Sequence, residues 1–191
     1  MHFYEASTKA GFAGIVDAVN AFAKQDAKKI SDMDKARADA LGPLFSGVPK
    51  DFRAYVECGT IHMDMVLLMR GKLGPGRIRV RHLMEEVCKP RFGTRRLLPP
   101  GDVLTFRHLL GAPENPRAER LLAARALVYN KLIEKDELSA FQDGVYPHMD
   151  NEASVISLVS TLDYDRCQRL FNEIRRLPRE KALEVIRTRS Q

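Results

Sequence analysis

The chain has 191 residues, 45% of them apolar, with 12 Gly and 10 Pro, enough for one domain with a real core and too ordered in composition for a disordered or collagen-like chain. Its formal charge is +6 at pH 7. No apolar run reaches membrane-spanning length, since IHMDMVLLMRG carries Asp64 and stops at Arg70.

Three cysteines, Cys58, Cys88 and Cys167, are widely spaced and odd in number. Reduced thiols in the cytoplasm fit them better than a secreted disulfide scaffold. MHFYEASTKAG lacks a basic n-region leading into an apolar run. Alanine, leucine, arginine and glutamate outweigh β-branched and aromatic residues, which favours helix.

The first predicted element starts near Ala10, where Phe12, Ile15, Val16, Val19, Phe22 and Ala23 recur at helical spacing. Ser31 and Asp34 resemble a weak capping box, so either one helix runs over 10–41 or two meet near 31, and Gly42-Pro43 ends it. Residues 51–70 read as a short strand, Phe52, Ala54, Val56 and Cys58 alternating with polar neighbours, or as a helix begun at Pro49; helix is preferred. LGPG at 73–76 closes it.

RIRVR as a strand would align Arg77, Arg79 and Arg81 on one face. The continuing MEEV instead predicts a helix over 79–88 with Val80, Leu83, Met84 and Val87 buried, and this scatters the arginines. Residues 89–102, rich in Pro and Gly, read as a loop. Asp102 is expected to cap a short helix that Gly111 closes, and Asn115-Pro116 to open a central core helix ending near Lys135. After a loop over 141–152, Asn151 is expected to cap a helix bearing Val155 and Val159. A further helix carries Cys167, Leu170 and Ile174, and the last starts at Pro178.

The expected fold is a mainly α, compact multihelical domain, with short β segments near 52–57 and 77–80 (hence α+β) as the alternative. A core over 1–165 would carry a helical extension, 166–191, packed on it.

Charge is the one functional signal. Residues 70–96 hold nine Arg and Lys against Glu85 and Glu86, a net +7 that leaves −1 for the rest. Such a patch points to a polyanionic partner more than a uniform bias does. The candidate nucleic-acid contacts are Arg77, Arg79, Arg81, Lys89, Arg91, Phe92, Arg95 and Arg96, with Arg169 and Arg176 from the C-terminal helix. The 89–96 group is favoured over RIRVR, and Phe92 is the candidate stacking ring.

Other chemistry is weaker. Cys58 and His62 lack the close cysteine pairs of structural zinc sites, and RGKLGPG lacks the order of a phosphate-binding loop. Neither Cys58 with His62 nor Cys88 with His82 forms a nucleophile motif, and the carboxylates at 32/34 and 85/86 are of a kind common on helix surfaces. No catalytic residue, metal or cofactor is expected. The sequence favours a non-catalytic regulatory protein that binds DNA or RNA. The alternative is a helical adaptor or inhibitor for an acidic protein, without membrane integration and compatible with homo-oligomers.

Overall fold

The computed structural model describes residues 11–49, 51–135 and 145–189. Regular structure among them is entirely helical. The helices are α1 (Phe12–Ser46), α2 (Met63–Leu73), α3 (Glu85–Phe92), α4 (Pro100–Leu109), α5 (Pro116–Leu132), α6 (Pro147–Ser160), α7 (Tyr164–Ile174) and α8 (Arg179–Arg189), with a 3₁₀ turn at Pro75–Arg77. The fold is mainly α and multihelical, and among the described residues the β segments near 52–57 and 77–80 do not form.

Several boundaries differ from expectation for identifiable reasons. α1 is one helix through residue 31 and continues past Gly42-Pro43. Gly42 serves close approach here: a Cβ would meet the Lys72 side chain at 2.8 Å, and Lys72 Nζ reaches Asp39 at 2.8 Å. Pro43 removes one backbone donor only a turn before the helix ends.

Residues 51–60 form neither predicted element, and every one is exposed. The helix expected over 79–88 starts only at Glu85 and extends to Phe92, so part of the predicted 89–102 loop is helical. Pro90 lies inside it, and Gly93 ends it in the left-handed region at φ 69°. Val80, Leu83 and Met84, expected in the core, are exposed, as is Phe22 in α1.

Pro100 opens α4 where a breaker was read, because proline's fixed φ and missing donor suit the first helical position. α6 likewise begins at Pro147 rather than behind Asn151. Asn151 Oδ1 instead accepts the Glu134 N–H at 2.9 Å, beyond the end of α5. Residues 141–144 of the expected loop lie outside the described residues.

The chain divides into two compact units: Met1–Phe22, Leu97–Leu104 and Pro113–Gln191 form the first, Ala23–Arg96 and Thr105–Ala112 the second. In the first unit α5 is the central helix, as its broad apolar arc predicts, packing against α6, α7 and α8. Asn115 caps it, its Oδ1 accepting the Ala118 N–H at 3.0 Å. Ala123, Ala124, Val128 and Leu132 are wholly buried along it.

Asp163 caps α7 by accepting the Arg166 N–H at 2.7 Å, and α7 buries Cys167, Leu170 and Ile174, one side of the helix. Phe12 packs edge-on to Tyr164, with ring centres 5.4 Å apart. Arg179 donates from Nε to the Leu132 carbonyl at 2.9 Å and pairs with Glu134, so a guanidinium closes the C-terminal end of α5.

In the second unit Ala38 of α1 meets Met65 and Met69 of α2, and Leu41, Phe45, Leu68, Leu73 and Ile78 pack around them. The methionines fill this small core as flexible apolar side chains do.

Ile174 is fully buried and Arg176, two residues on, is exposed. Ile174→Ala is expected to cost about 2–5 kcal/mol of stability and Arg176→Ala less than about 0.5 kcal/mol, as urea unfolding would read out.

Candidate functional site

The cationic residues of 77–96 all belong to the second unit, and their settings differ. Ile78 takes an extended conformation, φ −119° and ψ 117°, and turns its side chain onto the Ala38, Met65 and Met69 cluster. Its neighbours Arg77 and Arg79 are exposed, as is Arg81. Among the described residues no carboxylate pairs with these three.

An open depression follows, lined by Val80, Arg81, His82, Glu85, Glu86 and Lys89. Glu85 and Glu86 occupy the first turn of α3, where carboxylates favour the positive helix end, and Lys89 and Arg91 the last, where cations do. Both basic residues are exposed.

Other candidates of this stretch make contacts within the unit. Phe92 is half-buried. Arg95 pairs with Glu85 at 3.3 Å, its side chain still 69% exposed. Arg96 lies over the Phe106 ring, 5.1 Å from its centre, and donates from Nη1 toward Met63 Sδ at 3.4 Å. Phe92 and Arg96 are thus the less open candidates, while Arg77, Arg79, Arg81, Lys89, Arg91 and Arg95 are all exposed.

Arg169 and Arg176 are exposed in the first unit, on α7 and just beyond it. The two units differ sharply in charge. The second carries 17 Arg and Lys against 9 Asp and Glu, net +8, and the first 14 against 16, net −2. The whole excess of positive charge therefore resides in the second unit.

Sequence reasoning missed the central polar cluster of that unit. Asp34 is wholly buried. His62 donates from Nδ1 to Asp34 Oδ1 at 2.6 Å, the Met65 N–H donates to Oδ2 at 3.2 Å, and Arg37 Nη1 stands 3.7 Å from Oδ1. Ser31 Oγ donates to Asp64 Oδ2 at 3.0 Å. Two side chains of α1 thus hold the first turn of α2, Asp34 satisfying one of its orphan N–H groups.

Because Ser31 bonds to Asp64 rather than His62, the cluster does not form a nucleophile relay. The available signal was periodicity: Ala23, Ala27, Ile30, Asp34 and Ala38 share one buried stripe, and a carboxylate on such a stripe needs a buried partner.

Among the described residues of the first unit, the Tyr129 hydroxyl, the Cys167 thiol and the Glu152 carboxyl are all shifted upward, chiefly by burial. Burial pushes the Cys167 thiol up to about 11, against a smaller opposing pull from Arg125, which keeps it an unreactive thiol at neutral pH. Glu152 is also raised, chiefly by burial, although the Tyr129 hydroxyl donates to its Oε1 at 3.2 Å and opposes the rise. Cys58 is exposed and Cys88 buried. Cys58 and His62 share no helical face, since α2 begins only at Met63. Among the described residues no three His, Cys, Asp or Glu gather as a metal site would require, and no helix is long and apolar enough to cross a membrane.

No protein-family model matches the chain, and no solved structure matches it. A protein of Archaeoglobus fulgidus described as uncharacterized is similar to it, 32% identical over 169 residues, covering 88% of this chain and 56% of that protein. The chain spans about half the length of this curated relative.

Asp34→Ala leaves His62 and the Met65 N–H without their acceptor and is expected to lower stability by about 1–3 kcal/mol in denaturant titration. Glu152 has the opposite sign. Its carboxyl is raised above the ordinary value of 4.5, so folding favours the protonated form, and the stability this gives is present below pH 4.5 and lost as pH rises through the folded-state value. Glu152→Gln is therefore expected to stabilise the chain at pH 7, with the advantage shrinking toward pH 4, as thermal unfolding across pH would record.

Proposed function

We propose that the chain is a non-catalytic nucleic-acid-binding protein whose second unit holds the phosphate backbone through Arg77, Arg79, Arg81, Lys89 and Arg91. The observation that carries this reading is the segregation of charge, +8 in that unit against −2 in the other. A field of one sign over a small unit raises the local concentration of a polyanion and steers its approach. Arginine adds a planar fork that matches phosphate oxygens. Arg169 and Arg176, in the net-acidic unit, are secondary contributors at most on this reading.

One observation favours a second reading. Val80, Leu83 and Met84 are exposed among these cations, and interleaved apolar and basic side chains also suit an acidic protein segment.

Five phosphate contacts correspond to a slope of about −3.5 to −4.5 in log affinity against log salt. Fluorescence anisotropy with a labelled oligonucleotide should show such a slope. The triple variant Arg77→Ala, Arg79→Ala, Arg81→Ala should flatten it by about 2 to 3, whereas Arg169→Ala with Arg176→Ala should leave it nearly unchanged. Absence of salt-sensitive binding across DNA and RNA would overturn the reading.

A further inference from the structure

Residues 51–60 are irregular and exposed throughout. Phe52 and Tyr55 are 52% and 75% exposed, and Val56 is 45% exposed. The segment lies in the second unit, whose net charge is +8, and Arg53 stands between the rings in sequence. That unit also holds most of the exposed large apolar side chains among the described residues, Leu44, Leu67, Leu83 and Leu110 included. Water is a poor environment for open aromatic rings, and a base offers a flat π-face to every aromatic it meets.

We infer that the polyanion bound by the second unit is a single-stranded polynucleotide, with the 77–81 arginines taking phosphates and Phe52 and Tyr55 taking bases. This rests on the nucleic-acid reading above and narrows it. Three features of the unit favour a single strand over a duplex.

Stacking needs bases that are already unstacked, which a duplex does not offer without a penalty. α3 is poorly suited to a major groove: the N-terminal residues of a recognition helix meet the base edges, and here they are Glu85 and Glu86. Finally, Arg77 and Arg79 flank an extended, inward-turned Ile78. Two residues of extended backbone, about 7 Å, separate cations that both project away from the core, so they can follow a strand instead of circling a helix.

The test uses the full chain and labelled oligonucleotides of roughly 20 nucleotides, as single-stranded DNA, single-stranded RNA and duplex DNA, at one fixed low salt. Either single strand should bind at least about tenfold more tightly than the duplex, and Phe52→Ala with Tyr55→Ala should weaken single-strand binding by about tenfold or more while leaving the duplex affinity within about twofold. Both positions are exposed, so circular dichroism should be unchanged.

Cys58 supplies a second readout, being the exposed thiol three residues after Tyr55 in sequence while Cys88 and Cys167 are buried. Saturating single strand should slow its alkylation by maleimide. Equal affinity for duplex and single strand, or a double variant that binds normally with unaltered Cys58 labelling, overturns the single-strand assignment while leaving polyanion binding intact. If no oligonucleotide binds, the nucleic-acid reading itself falls. Protection of Cys58 by an acidic polypeptide such as polyglutamate, and by neither strand, overturns both in favour of a protein partner.

Discussion

A carboxylate with no exposed surface governs the second unit. Asp34 sits on the buried stripe of α1, and its acceptors are met by His62 and by the N–H of Met65. That N–H belongs to the first turn of α2, so the bond fixes where an irregular segment ends and a helix begins. Once α2 starts there, Met65 and Met69 fall against Ala38, and Ile78 docks beside them. With Ile78 turned inward, the flanking Arg77 and Arg79 are left exposed. Burial of an unpaired carboxylate is far more costly than loss of an apolar contact of the same size. The outward presentation of the arginines is thus linked, through packing, to one aspartate some forty residues earlier.

Helices with a long apolar period and local caps were legible in the sequence. α5 follows Asn115-Pro116 as capping chemistry requires, and α7 buries the expected Cys167, Leu170 and Ile174. Proline and glycine were harder to read. Gly42 admits the Lys72 stem instead of ending α1, and Pro100 starts α4 instead of breaking the chain. In each case the meaning depends on a neighbour remote in sequence or on position within a turn.

The segment at 52–58 failed for a different reason. Its alternation of apolar and polar residues is that of a half-buried strand, but no partner strand is present among the described residues, and the side chains stay exposed. Of the candidate site, the charge excess was legible, while its accessibility was not. Arg96 looked as open as Arg77 until its partner Phe106 came into view. Segregation of charge was legible too, since 70–96 alone carries +7; only the bounds of the unit, assembled from two separate stretches of chain, were not.

A net +8 on one unit and −2 on the other makes a definite claim about where a polyanion should settle. Hydrogen–deuterium exchange of the full chain, with and without a saturating single-stranded oligonucleotide, tests that claim most directly. Slowed exchange is expected over residues 77–91 and none over 164–176. Slowed exchange confined to 164–176, with 77–91 unaffected, would contradict it.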